Sequence, residues 1–524
     1  MHYKDKILTQ AGLEVKVKQA GKANHRIVLC HGHFNVLHPG HLRYLQYASE
    51  QGDMLLVAVL GDRLLIHDEK KRYFSQSERA EGVAALQNVD WVVILDTMPF
   101  RQVVSIAKPA VYVLGKEFEV EFARDVQKNI EQVETNNGKV LYCSGEVHYA
   151  SSDFLSHPYE EIEQDSVRKF HAACRRHNIK LEHIINQIDQ FQNLNLAVIG
   201  DTIVDQYVAC DALGMSAEAP VITVKELEAK EFIGGASIVA CHLRSLGARC
   251  HFLSVIGDDK PGEFVREELE KLGVDSHLLS DNGRPTTFKI RYMVNNQKLF
   301  RVSRLQDYSI SKKHESQIIS KLERLAPQLN GIIVSDFVYG VITPSLLSAI
   351  VRISRKHDIR LFGDLQCSSQ IGSILKFKQF SFICPTEREA RIALLDHESG
   401  LEKMAISLLE ETQVSDLLIT LGAEGFIAHQ AGVGNKIAKS QHFPALVSNP
   451  VDEAGAGDSL LSAMSISLCA GTDLMEASAI GTCVAAIAIK RIGNISVTAE
   501  ELVRFIRNNL TNTSDTYSIG LSDN

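Results

Sequence analysis

Five short apolar runs in the first 143 residues, 26–30 (RIVLC), 54–60 (MLLVAVL), 91–95 (WVVIL), 111–115 (VYVLG) and 139–143 (KVLYC), constrain this chain more than any other feature. The stretches between them read as helices: 40–50, with Leu42, Leu45 and Ala48 on one face, then near 75–88, after Pro99, and near 119–136. Strands alternating with helices at this spacing predict a parallel, doubly wound α/β sheet. A second alternation opens at 196–201 (LAVIGD). Between the two lies a charged stretch with helical spacing at Leu181, Ile184, Ile185 and Ile188, which suits packing against a neighbouring domain. A chain of 524 residues exceeds one ordinary core. The expected division is therefore a first domain at 1–155, a helical linker at 156–194, a second α/β domain at 195–512 with a small β flap, and a polar tail at 513–524.

Hydrophobic residues at 45% and charged residues at 23% fit a globular domain protein. A net charge of −9 lacks the basic face that nucleic acid or an anionic membrane demands, so neither is expected as a partner. Ten cysteines without a C-x-x-C pair read as reduced, packed thiols. The opening MHYKDKILTQ has no apolar signal core, and no run approaches the ~20 residues of a membrane span. A cytoplasmic location is the expectation.

Chemistry concentrates in two turns. At 451–460 (VDEAGAGDSL), Gly455 and Gly457 let the backbone turn N–H groups inward where an apolar-periodic helix (Leu461, Met464, Leu468) begins, which makes an anion pocket. Asp458 at its rim can take the proton of an alcohol attacking phosphorus, or serve only as a helix cap. The second turn, 31–41 (HGHFNVLHPGH), follows the first strand, the favoured ligand position in such sheets. His38 and His41 are three apart at a helix start and can stabilise charge on an attacked α-phosphate. His31, His33, His38 and His41 as a zinc cluster is the competing reading. Farther on, the loop 201–205 carries two carboxylates, of which Asp205 could grip sugar hydroxyls or merely form a turn. Residues 219–237 read as two strands of a flap, followed by Gly234-Gly235 opening a helix.

His38-Pro39-Gly40-His41 after the first strand, Ser77-Glu78-Arg79-Ala80, Val89-Asp90-Trp91-Val92-Val93 and Ala150-Ser151-Ser152 resemble the cytidylyltransferase-like nucleotidyltransferases. That likeness implies a Rossmann-like fold over 25–155, with His38 and His41 catalytic and Gly32, His33, Phe34, Arg79, Ser151 and Ser152 around nucleotide phosphates. Gly234-Gly235 together with Gly455-Ala456-Gly457-Asp458 resembles the paired signature of ribokinase-like carbohydrate kinases. G-D-x-x-x-D (200–205), S-x-E-A-P-V (216–221), K-x-R (289–291), N-Q-x-L-x-R (296–301), V-S-D (334–336) and T-L-G-x-x-G (420–425) extend it, and both halves are most similar to bacterial ADP-heptose synthases.

The second resemblance implies Asp458 as base and Gly455, Ala456 and Gly457 at the phosphates. Thr420, Gly422 and Gly425 would border the adenine, and Glu389 would organise Mg²⁺ through water. Asp201, Asp205, Gly234, Gly235, Lys289, Arg291 and Arg301 would meet the substrate, the last three otherwise being strand charges. The chain departs from these patterns at Asn35, Leu114 (Lys116 being the nearest lysine), Ile238, Tyr339, Gln366, Thr386 and Ala454, and places the transferase half first. The implied chemistry is consecutive: a sugar or sugar 7-phosphate is phosphorylated at C1 by ATP, then coupled to a nucleoside triphosphate, ATP favoured, with Mg²⁺ and release of pyrophosphate. A CTP-using synthase for another sugar or polyol phosphate, and a transferase with a non-catalytic kinase-like module, are the alternatives. A homodimer is expected, since a flap can complete a neighbour's site.

Overall fold

In the computed structural model, residues 3–34, 37, 39–63, 74–96, 98–115, 124–143, 159–216, 218, 221–294, 297–367, 372–432 and 437–510 are described. The chain divides into two compact units, one of 1–155 with 396–405, the other of 156–395 with 406–524.

In the first unit the five apolar runs become β1 (Ile27–Gly32), β2 (Met54–Leu60), β3 (Trp91–Leu95), β4 (Val111–Gly115) and β5 (Lys139–Cys143). They form one all-parallel sheet in the order β3-β2-β1-β4-β5. Alternate residues fill two cores: Leu29, Leu56, Val93 and Tyr112 pack on one face, Val28, Cys30, Val57 and Val113 on the other. Both faces are covered, which is why the strands read as continuous apolar runs rather than alternating ones. Strand order reverses between β1 and β4, so the loop leaving β1 opens onto the crevice where ligands of such sheets sit. Ahead of β1, a stretch whose sequence reads only as a polar lead-in is a helix, Gln10–Lys22. Thr9 caps it through the Gly12 N–H, and it buries just Leu13 and Ala20, too few apolar positions to reveal it by periodicity.

The strands of the second unit are, in chain order, β6 (Asn195–Gly200), β7 (Thr202–Met215), β8 (Ile222–Gly235), β9 (Arg249–Ile256), β10 (Asp275–Ser280), β11 (Thr287–Val294), β12 (Gln297–Arg304) and β13 (Gly331–Asp336). There follow β14 (Arg360–Leu365), β15 (Phe382–Ile383), β16 (Asp416–Thr420), β17 (Phe426–Ala431) and β18 (Ile437–Phe443). Nine form the main sheet, β10-β9-β6-β13-β14-β15-β16-β17-β18, parallel as far as β16 and antiparallel beyond. Four form a smaller sheet, β12-β11-β7-β8.

This smaller sheet corrects the expected flap. Residues 202–205 are strand rather than loop, since β7 begins at Thr202, and the described residues of 219–237 supply the single strand β8 rather than two. No turn-forming Gly, Pro, Asn or Asp interrupts 222–233, and β7 offers an antiparallel partner from Thr202↔Gly235 to Met215↔Ile222. Ile184, Ile188 and Phe170 of the helices Tyr159–Arg176 and Leu181–Ile188 lie in the same apolar core as β6, so these helices belong to the second unit. The helices Ala456–Cys469 and Leu474–Ala488, apolar on nearly every side, are the centre of that core. None of the ten cysteines is in a disulfide. No helix among the described residues is long and apolar enough to cross a membrane.

Candidate active sites

In the second unit the site begins with a glycine. Gly455 takes φ +79, and a Cβ there would lie 2.3 Å from Asn494 Oδ1, so only glycine turns the chain into the helix Ala456–Cys469. At Gly457 an added Cβ would meet nothing nearer than Gln366 Nε2 at 3.9 Å, so there is room beside the first turn of this helix, whose end carries the positive pole of the helix dipole. Asp458 follows in the same turn, 4% exposed. Burial pushes its carboxyl up to about 7 and Asp205 pushes in the same direction, while Lys289 and a hydrogen bond from Gln366 Nε2 at 3.0 Å pull it back. A general base is most effective with its pKa near the working pH.

The small sheet delivers the groups facing this base. Lys289 on β11 is in register with Asp205 on β7, and Arg291 with Tyr207. Arg291 ion-pairs with Asp205 and lies 5.1 Å over the Tyr207 ring. Asp205 also accepts from Asn494 Nδ2 at 3.1 Å, and Gly234 leaves room for that carboxylate, since a Cβ would sit 2.5 Å from its Oδ2. Lys289, buried, lies over the rings of Phe337 and Tyr339. Arg301 is exposed on β12, in register with Arg291. Asp452 ties the turn to the small sheet: it accepts from Tyr207 Oη at 2.6 Å and Lys298 Nζ at 3.0 Å, and from the Ala454 and Gly493 N–H groups. These donors hold its carboxyl below the usual value despite its burial.

Other predicted residues do something different. Asp201 gives its carboxylate to the N–H groups of Phe337, Tyr339 and Val341, pinning the loop after β13 instead of facing a sugar. Gly235, at φ +63 with a Cβ position 2.5 Å from Asp201 O, lets the chain enter the helix Ala236–Ser245. Gly425, at φ +86, packs against Phe443 O, whereas Gly422 borders open space and Thr420 ends β16. Glu389 closes a capping box with Thr386 and accepts from Cys367 N–H at 2.9 Å. Beside it Asp364 is pushed well above the carboxylate range by burial, then by Glu389 and Asp458, and accepts from Gln366 at 3.3 Å. Gln366 thus donates to two carboxyls at once.

In the first unit, the loop after β1 folds Phe34 back over Gly32. Phe34 has φ +48 and is buried, and a Cβ on Gly32 would touch its ring at 3.0 Å. His41, in the first turn of the helix Pro39–Ser49, sets its ring 5.2 Å from that of Phe34. His33 is exposed, and its carbonyl accepts from Arg79. Arg79 departs from expectation: its wholly buried side chain ion-pairs with Asp62 at 2.9 Å, so it braces the loop from behind rather than offering a phosphate its guanidinium. A buried guanidinium requires such a partner. His31 is hydrogen-bonded to Tyr112 Oη at 2.8 Å and depressed to about 4, first by burial and then by His33, which keeps it neutral. Among the described residues, His31, His33 and His41 do not converge as metal ligands. His38, Ser151 and Ser152, with Asn35 and Lys116, lie outside the described residues.

Sequence reasoning missed Asp62, Asp364, Asp452 and Asn494. Asp452 carried a signal, a carboxylate beside the glycine turn; Asn494 carried none, since it meets Asp205 across 289 residues.

Comparison with known proteins finds two family models along the chain. The model of the pfkB family carbohydrate kinases matches residues 193–501, and the cytidylyltransferase-like model matches 29–162. Bifunctional protein HldE of Campylobacter jejuni subsp. jejuni serotype O:6 is 32% identical over 321 residues, 60% of this chain and 65% of that protein. The protein of the same name from Geobacter sulfurreducens is 30% identical over 315 residues, 59% of this chain and 62% of its own length. The chain therefore spans just under two thirds of these relatives. Phosphofructokinase-2 from Escherichia coli shares the fold of the second unit at TM-score 0.50 and 14% identity, covering 60% of this chain and 98% of that one.

Proposed function

The chain belongs to the pfkB family of carbohydrate kinases, and on that premise we propose that it is a bifunctional sugar-nucleotide synthase. The second unit transfers the γ-phosphoryl of ATP to the C1 hydroxyl of a sugar such as a heptose 7-phosphate. The first unit couples the resulting 1-phosphate to a nucleoside triphosphate, ATP favoured. The observation that carries the reading is Asp458: a buried carboxyl raised to about 7, in the first turn of a helix with room beside Gly457.

In the kinase step the sugar hydroxyl gives its proton to Asp458 as its oxygen attacks the γ-phosphorus, and ADP leaves. The positive end of the helix at Gly457 stabilises the charge that develops, and Asp205 with Arg291 and Asn494 orients the sugar. In the transferase step a phosphate oxygen of the sugar 1-phosphate attacks the α-phosphorus of the triphosphate and pyrophosphate leaves, with His38 and His41 beside the attacked centre. Glu389, which already accepts from Thr386 and Cys367, would hold Mg²⁺ through water rather than directly. Bound there beside Glu389 and Asp364, it would neutralise phosphate charge.

Gln366 favours a second reading of the acceptor. An amide rather than a cation lies 3.0 Å from the base, which suits a sugar carrying less phosphate than a heptose 7-phosphate, and CTP is the alternative donor in the first unit. The exposed Leu213, Met215, Ile222 and Leu227 of the small sheet support a homodimer, and the compartment we infer is the cytoplasm.

Purified protein given ATP, CTP, Mg²⁺ and a panel of heptose and hexose phosphates, with products read by mass spectrometry, tests the proposal. Expected are a sugar 1-phosphate and its nucleotide adduct, with Asp458→Asn abolishing the first product and leaving transfer to a supplied 1-phosphate intact. No phosphorylation of any sugar by the wild type would leave the kinase half a non-catalytic module.

A further inference from the structure

β9 and its edge neighbour β10 bring three ligating side chains onto one face of the main sheet. His251 is in register with Asp275, and His277 lies two residues beyond on the same face. Among the described residues this is the one grouping in which a nitrogen from each imidazole and a carboxylate oxygen lie within 4.8 Å of one another. The rings stack at 5.9 Å and 16°. His251 Nδ1 is 2.6 Å from Asp275 Oδ2, and His277 Nε2 is 3.4 Å from Asp275 Oδ1. His251 is 7% exposed, and both its Nε2 and that of His277 are buried without a hydrogen bond. The Asp275 side chain, 52% exposed, opens the cluster to solvent. It sits near the amino ends of the strands, whereas Asp201 and Asp205 follow the carboxyl end of the parallel β6.

We propose that His251, Asp275 and His277 form a binding site for a divalent transition metal of the zinc type. Two imidazoles and one carboxylate are a borderline donor set that suits zinc, while magnesium and calcium take oxygen throughout. The 2.6 Å His251–Asp275 contact already sets a ring nitrogen and a carboxylate oxygen where one ion can meet both. Bonds of ~2.0–2.1 Å bring ligand atoms to about 3.3 Å from one another, a closure that costs His277 no hydrogen bond at Nε2. Solvent on the Asp275 side supplies a water as the fourth ligand. Bound there, the ion joins the edge strand β10 to β9.

The test uses the full chain, stripped with chelator and titrated with Zn²⁺ or Co²⁺ alone, against His277→Gln and Asp275→Asn, with circular dichroism confirming that each variant folds. The wild type takes up about one more equivalent than either variant, with a visible Co²⁺ spectrum that both lose and an affinity at least ~10-fold higher. Zn²⁺ raises the thermal midpoint of the wild type and leaves the variants' midpoints in place. Equal stoichiometry and affinity in all three proteins would overturn the site, even if the metal binds elsewhere in the chain.

Discussion

Replacing Asp458 with asparagine separates the cost of the site from its use. The carboxyl rises from an ordinary 3.8 to about 7, chiefly because it is buried and then because Asp205 faces it. A carboxyl raised on folding contributes stability while it is protonated, fully below pH ~4, and loses that contribution as pH climbs through about 7. At ~1.36 kcal/mol per pH unit, the ionised group costs the fold about 4 kcal/mol at pH 8 and roughly 1.6 kcal/mol at pH 5. Asparagine carries no such cost, and its Oδ1 still accepts from Gln366. The stability of Asp458→Asn relative to wild type therefore increases by about 2–3 kcal/mol between pH 5 and pH 8. Urea unfolding of both proteins at the two pH values, following the transition of the second unit, measures it. The same variant loses phosphorylation by ~10²-fold or more, as removal of a general base requires. A stability difference that does not change with pH would refute the strained-base argument, whatever happens to activity.

Three further outcomes follow from the same geometry. Lys289→Met removes a charge that lowers the Asp458 pKa, so the acid limb of the kinase kcat/KM profile moves to higher pH while transfer by the first unit is unchanged. Gly455→Ala forces a side chain into φ +79 and against Asn494 Oδ1; the strain costs about 1–3 kcal/mol, read by thermal unfolding, and phosphorylation falls with it. Arg79→Met leaves Asp62 without its buried partner and the His33 carbonyl without its brace, destabilising the first unit by roughly 3 kcal/mol and abolishing pyrophosphate release while phosphorylation persists.

The sequence by itself determined what depends on near neighbours. Runs such as MLLVAVL and WVVIL become parallel strands because both of their faces must be covered, and Gly455 must precede a helix at Ala456 because a positive φ ends one backbone conformation and starts another. The position of Asp458 in the first turn follows from that spacing alone. Tertiary structure decided which partner each polar group meets. Asp201 and Asp205 look equivalent in the sequence, yet one holds a backbone loop more than 130 residues away and the other an arginine and an asparagine. Arg79 reads as a phosphate ligand until burial beside Asp62 gives it another task. Residues 202–205 become strand because β8 is there to pair with them. Local periodicity and allowed dihedrals act over a few residues and are written along the chain, whereas desolvation and hydrogen-bond pairing act between segments that only folding brings together.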